Sequence, residues 1–233
     1  MAQLKRLLPL AVLLLAIVTA FGLGLDDYIS FEQLERHRAQ LLDFVARHPV
    51  MAPLVFMLIY ASVVALSIPG GAVLTIAGGF LFGLAAATVY VVVAATIGAT
   101  VVFLIAKTAL GDTLRQKAGP AMRRMEAGFR ENALNYLLFL RLIPVFPFWL
   151  VNLVPAFLGV PLTTYVVATF IGIIPGSLVY ASVGNGLGAV FEAGGRPDLG
   201  IIFKPEIILP IIGLAVLAIL PVAYKKIRAR QPS

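Results

Sequence analysis

Two apolar stretches of this chain are broken near their middles by proline and glycine, and this limits its fold more than any other feature. Met51–Gly83 contains Ser67-Ile-Pro69-Gly70-Gly71, and Tyr136–Leu158 contains Arg141-Leu-Ile-Pro144-Val-Phe-Pro147. Proline removes a backbone donor and clashes with the preceding helical turn. In hydrocarbon no water replaces the lost partner, so irregular backbone persists only where protein or a water-filled cavity covers it. Arg141 adds a permanent charge to the second stretch. At the centre of a membrane helix an arginine costs at least ~2.5–3.5 kcal/mol, and such residues usually line a cavity or a substrate path.

Composition places these stretches in a bilayer. The 233 residues are 61% apolar and 12% charged, against about 45–50% and about 25% in soluble domains. The length fits one bundle of roughly six membrane segments at ~20 residues each. Without cysteine there is no disulfide framework, zinc thiolate site or cysteine nucleophile. The net charge of +7 falls mostly in a few loops, which points to membrane orientation and anionic headgroups and away from nucleic acid. Residues 1–25 read as an uncleaved transmembrane helix. Val18-Thr-Ala20 resembles a signal-peptidase site, but Leu7–Leu25 is long for the apolar region of a signal peptide.

Residues 26–48 read as an outer amphipathic helix with Phe31, Leu34, Leu41, Leu42 and Val45 on its apolar stripe. Residues 49–185 form the core, in which Leu84–Ala106 and Pro161–Val183 span the membrane, the latter with Pro175 inside. Residues 186–233 hold a glycine-rich outer loop, a last span at Glu206–Tyr224 and a basic tail. Lys5 and Arg6, the loop residues Arg115, Lys117, Arg123, Arg124 and Arg130, and the tail residues Lys225, Lys226, Arg228 and Arg230 mark three basic regions. Residues 26–48, by contrast, carry five acids against three arginines. The positive-inside rule places all three basic regions, and both termini, in the cytoplasm. That holds only if 51–83 and 136–158 each enter the membrane and return on the same side. The expected fold is therefore an all-α polytopic membrane protein with about four spanning helices and two re-entrant hairpins.

The hairpins belong to a repeat. Ile68-Pro69 and Ile143-Pro144 open the breaks, and Gly83 and Gly159 end the segments. Thr88-Val-Tyr90-Val-Val…Ile97-Gly98 then parallels Thr163-Thr-Tyr165-Val-Val…Ile171-Gly172, with a tyrosine-to-glycine spacing that differs by one residue. The two units enter from opposite sides, as in the inverted repeats of many transporters.

These residues resemble the DedA superfamily, and within it the SNARE-associated Golgi protein, or VTT-domain, branch. The resemblance rests on Pro69-Gly…Ala77-Gly-Gly79-Phe-Leu-Phe-Gly83, on Arg141-Leu-Ile-Pro144-Val-Phe-Pro147…Asn152, and on Gly172-Ile-Ile-Pro175-Gly176…Tyr180…Gly184. It implies two re-entrant hairpins. It also implies movement of a lipid or lipid-linked phosphate between leaflets, undecaprenyl phosphate for bacterial members and phospholipid for eukaryotic ones. DedA proper has acidic residues near its first hairpin and a second arginine soon after the first. Here Met51–Gly83 has no acid and Pro147-Phe148 follows Arg141, which weighs against proton coupling through membrane carboxylates.

The candidate headgroup-binding residues are Arg141 and Asn152. The planar guanidinium suits a phosphate, although it also suits the carbonyls freed by Pro144 and Pro147, and its length allows snorkelling. Pro69, Gly70, Gly71, Pro144 and Pro147 are expected at the hairpin turns. Gly79, Gly83, Gly172, Pro175 and Gly176 are expected at helix-packing positions, Pro175 as a kink. Lys107 and Trp149 read as interfacial anchors. His37 and His48 lack a cluster that would make them metal ligands. No Walker motif, no intramembrane Cys/His/Asp/Glu cluster and no cofactor signature occurs, so a transporter is expected and not an enzyme. The expected setting is a bacterial inner membrane, the expected partners are membrane lipids with anionic headgroups, and a homo-oligomer is compatible with the sequence. The alternative is a secondary transporter of a small solute or ion, with or without coupling to a cation.

Overall fold

The computed structural model describes residues 2–22, 24, 29–116, 120–192 and 198–228. Residues 23 and 25 of the expected first helix, 26–28 of the 26–48 segment and 229–233 of the tail lie outside the described residues. So do the side chains of the basic residues that set the expected orientation, and that of Trp149.

Long apolar runs rich in Ala, Leu and Val become helices, and glycine or proline ends them. In chain order these are α1 (Ala2–Gly22), α2 (Phe31–Arg36), α3 (Arg38–Arg47), α4 (Met51–Ala65), α5 (Gly71–Phe82), α6 (Leu84–Gln116), α7 (Pro120–Leu142), α8 (Phe148–Phe157), α9 (Leu162–Gly172), α10 (Ile174–Asn185), α11 (Leu187–Glu192) and α12 (Pro205–Arg228). A 3₁₀ turn, Leu199–Phe203, precedes α12. The described residues contain no strand, and the protein is an all-α membrane protein. Three helical stretches are long and apolar enough to cross a bilayer: Leu84–Ala109, Leu162–Asn185 and Pro205–Tyr224. The 21 residues of α1 reach about 30 Å at 1.5 Å per residue, and Leu10–Ala20 is their described apolar portion.

Both broken segments fold as helix–turn–helix pairs. In the first, Pro69 and Gly70 lie in the turn and Gly71 opens α5. Ser67 takes φ 54° and Gly70 takes φ 132°. A Cβ on Gly70 would come within 2.7 Å of Ile29, so conformation and space both demand glycine there. In the second, Ile143–Pro147 joins α7 to α8, with Pro147 as the cap residue of α8. Within α7 the polar portion and the first arm of this hairpin are two helical pieces that meet at a kink at Asn132, whose φ of −130° and ψ of 34° are not helical. The kink lies about one turn before the expected boundary at Tyr136.

Packing follows the repeat. Within each unit the first hairpin arm packs on that unit's own span, α4 on α6 and α7 on α9. The second arm packs on the other unit's span, α5 on α10 and α8 on α6. A buried core of Tyr60, Phe103, Leu137 and Tyr165 joins the units. The outer segment is two short helices that break at His37. Leu34 from it is buried with Ile76, Leu187 and Phe191, while Leu42 is exposed. Buried helix threonines donate to their own preceding turn, Thr75 to Gly71, Thr88 to Leu84 and Thr96 to Val92, which satisfies hydroxyls that lipid would leave bare.

Glycine roles divide more finely than a packing motif implies. Gly79 faces the backbone of Ala181, and Gly184 faces the backbone of Ile76, so α5 and α10 touch main chain to main chain. Gly172 is close to a side chain instead, its would-be Cβ lying 2.6 Å from Arg141 Cβ. Gly83 is different: it ends α5 at φ 77° and its would-be Cβ meets only Asn185 Oδ1 at 3.8 Å. Its role is conformational. Gly176 meets nothing within 4 Å, so it is not a packing residue. Pro175 sits in the first turn of α10, where its missing N–H costs little, and the span breaks just before it at Ile173.

Candidate functional site

Arg141 lies at the end of α7, one turn before the second hairpin's bend. Its Nη1 donates to Asn152 Oδ1 at 2.8 Å. Its Nη2 donates to Tyr165 Oη at 3.0 Å and to Thr169 Oγ1 at 2.9 Å. Tyr165 Oη lies 3.2 Å from both Ala99 O and Asn152 Oδ1, either of which accepts its proton. The guanidinium also lies over the rings of Phe148 and Tyr165, at 5.1 and 5.4 Å from their centroids, within cation–π range. Nε is buried without a partner, as is Asn152 Nδ2.

Every acceptor of Arg141 is a neutral side-chain oxygen. No acidic residue occurs between Asn132 and Phe191, nor between Met51 and Gly111. The charge is therefore held in place without being neutralised. None of its bonds goes to the carbonyls freed by Pro144 and Pro147, so it does not cap the turn.

A cavity of about 680 Å³ lies between the two hairpins. Its wall includes Tyr60, Thr75, Arg141, Phe148, Gly176 and Ser177, and Arg141 is the one charged residue among the described residues that line it. The turn residues Pro69, Gly70, Gly71, Pro144 and Pro147 also reach it. Asn152 does not. It is fully buried behind Arg141 and holds the guanidinium, which corrects its expected place on the cavity wall.

The first repeat supplies an internal comparison. Gly98 of α6 faces Val64 of α4, with its would-be Cβ 2.8 Å from Val64 Cβ, just as Gly172 of α9 faces Arg141 of α7. Gly83 and Gly159 end the second arms with φ 77° and 71°. Counting back three and seven residues from Gly98 gives Ala95 and Val91, against Thr169 and Tyr165 from Gly172. Counting back seven from Gly83 and Gly159 gives Ile76 against Asn152. The set Arg141, Asn152, Tyr165 and Thr169 thus stands where the first repeat has Val64, Ile76, Val91 and Ala95, all buried. The same helix pairing forms with apolar side chains at all four of these positions, so packing does not require the network. Tyr90 is then no counterpart of Tyr165: its ring meets Phe82 edge-on at 5.4 Å.

Lys107, expected to snorkel, instead donates to Val160 O at 3.1 Å across the turn between α8 and α9. Its Nζ also lies 5.3 Å from the Phe103 ring centroid. Phe103 stacks on Tyr165 at 4.2 Å, so a continuous run of rings joins the two cations. Tyr165, Thr169 and Lys107 were absent from the expected site. Lys107 was visible as a charge at the end of an apolar run, whereas the Thr-x-Tyr text shared by Tyr90 and Tyr165 pointed to the wrong pair of positions. Among the described residues no group of three metal-ligating side chains occurs.

An all-helical membrane protein with two helical hairpins around a cation-lined cavity is the class defined so far. The VTT domain family model matches residues 68–186, just over half of the chain, and the chain belongs to that family, the SNARE-associated Golgi proteins. Transmembrane protein 41B of Homo sapiens is 38% identical over 97 residues, covering 42% of this chain and 31% of the human protein. The transmembrane protein 41 homolog of Dictyostelium discoideum is 36% identical over 97 residues, covering 42% and 27% respectively. The Gallus gallus transmembrane protein 41B is 34% identical over the same length, covering 34% of that protein. The match therefore spans about a third of these relatives' own length. No solved structure matches the chain.

Proposed function

We propose that this protein moves a phosphate-bearing lipid, a phospholipid or undecaprenyl phosphate, between bilayer leaflets, without covalent chemistry of its own. The observation that carries the reading is an uncompensated guanidinium on an apolar cavity wall, built from four residues that the equivalent place in the first repeat lacks. An anion entering the cavity meets one fixed positive charge at low dielectric, where attraction is strongest, and no carboxylate to repel it. The volume of about 680 Å³ lies in the ordinary range for a drug-sized ligand. It suits a headgroup, while the acyl or prenyl tail stays in lipid. We place the basic ends on the cytoplasmic side of a bacterial inner membrane, with anionic headgroups as partners and a homo-oligomer as an open arrangement.

The test is reconstitution into vesicles with fluorescent phospholipid and labelled undecaprenyl phosphate, for wild type, Arg141→Ala and Arg141→Lys. Both variants should lose translocation, because lysine cannot serve three fixed acceptors with one planar group. Normal rates in both, with protein levels and folding intact, would sink the proposal. Saturable uptake of a small solute without lipid movement would favour the secondary-transporter alternative.

A further inference from the structure

The cavity has a second polar element that Arg141 does not explain. The span α9–α10 breaks at Ile173, and α10 begins anew with Ile174, Pro175, Gly176 and Ser177. Ile173, Gly176 and Ser177 all line the cavity. No side chain caps this N-terminus; Pro175 has no N–H and the Ser177 amide donates to Ile173 O, so the Gly176 amide is the one at the cavity wall that an anion can meet, at the positive end of the helix dipole. Gly176 is not required by packing, since a Cβ there would meet nothing within 4 Å. What the glycine does is leave the backbone uncovered.

Ser177 supplies an independent observation. It is 8% exposed, lines the cavity, and its hydroxyl has no hydrogen-bond partner among the described residues. Other hydroxyls on these helices behave differently. Ser62 and Ser182 donate to carbonyls of their own helices, and Thr75 and Tyr60 bond each other across the first hairpin at 3.0 Å. The Ser177 hydroxyl is not sealed in protein but opens on the cavity, where a ligand or water can accept from it.

Resting on the reading of Arg141 as an anion site, we propose that a phosphoryl group binds at two points, Arg141 on α7 and the first turn of α10, where Ser177 donates its hydroxyl. Broken membrane helices present half-helix N-termini to anionic groups in other folds, and a phosphoryl group has enough oxygens to accept from both walls. Nη2 of Arg141 has both hydrogens engaged by Tyr165 and Thr169. The arginine alone therefore offers an incoming anion few free donors, and a second donor set completes the site.

The experiment compares wild type, Ser177→Ala, Gly176→Ala and Arg141→Ala in vesicles. It follows a fluorescent phospholipid, a fluorescent glucosylceramide that lacks phosphate, and uptake of labelled inorganic phosphate. A hydrogen bond to a charged group is worth ~1.5–3 kcal/mol, so Ser177→Ala should slow the phospholipid about tenfold or more. It should leave glucosylceramide and thermal stability unchanged, and Gly176→Ala should act in the same direction. Equal slowing of both lipids would make Ser177 a packing residue and overturn the proposal. Wild-type phospholipid rates in Ser177→Ala with loss in Arg141→Ala would overturn it while sparing the arginine site. Wild-type rates in Arg141→Ala as well would remove both. Phosphate uptake that depends on Ser177, without lipid movement, would keep the two-point site and make the free ion its occupant.

Discussion

Tyr165→Phe tests the charged network with little change of shape. The variant removes one hydroxyl and keeps the ring that stacks on Phe103. Two bonds disappear. One is charge-assisted, accepted from Arg141 Nη2 at 3.0 Å. The other is donated to Ala99 O or Asn152 Oδ1, each 3.2 Å away. The first is worth ~1.5–3 kcal/mol and the second, as a neutral bond between membrane helices, ~0.6 kcal/mol. The sum is roughly 2–3.5 kcal/mol. At about 2–4 °C per kcal/mol for a chain of this size, Tm should fall by roughly 4–14 °C in mild detergent. Tyr60→Phe is the internal control. Tyr60 is also buried, and its hydroxyl bonds the neutral Thr75, so its loss should cost only ~0.6 kcal/mol. In an Arg141→Met background the Tyr165→Phe cost should shrink toward that same figure, and the double-mutant cycle then isolates the charged bond. If Tyr165→Phe destabilises no more than Tyr60→Phe, or if its cost is unchanged without Arg141, the network does not hold the guanidinium and the argument fails.

Gly184→Ala should abolish accumulation of folded protein, since the added methyl meets the Ile76 backbone, whereas Gly176→Ala should accumulate normally; immunoblots of membranes compare them. Lys107→Met should lower Tm by roughly 3–12 °C in a melting scan, through loss of a charged bond of ~1.5–3 kcal/mol to Val160 O. A lipid phosphate monoester gains a second charge as pH rises through ~6, while a phosphodiester does not. With a single guanidinium to meet it, undecaprenyl phosphate should move more slowly above that pH, and phospholipid rates should stay flat between pH 5 and 8.

Pro69, Gly70, Pro144 and Pro147 were readable as bends because their chemistry is local: no neighbour can restore a proline's missing donor. Arg141 was readable for a similar reason, since its charge is costly wherever an apolar segment lies. Its partners were not. Tyr165 and Thr169 become ligands only because α9 crosses α7 at Gly172, and no periodicity states where two helices cross. The repeat was visible as text, but aligning it on tyrosine misplaced the register by one. The steric contacts of Gly98 and Gly172 set it correctly. Gly176 read as a packing glycine because its spacing from Gly172 fits that motif. Its open surroundings depend on the break at Ile173, four residues of α10 and the hairpin opposite.

The main-chain contact between α5 and α10 has a mechanical consequence. Side chains can slide over one another by changing rotamers, but touching backbones cannot, so the first hairpin and α10 form a single lever. Arg141 and its acceptors on α8 and α9 form another. The chain passes between them at Ile173, where Ile173 N still bonds Thr169 O and Ser177 N bonds Ile173 O but Pro175 has no N–H to add to the ladder. A headgroup held by Arg141 on one side and Ser177 on the other would act as a temporary fastener across that joint. Loading the cavity would then stiffen the molecule, and releasing the headgroup would free the joint to bend.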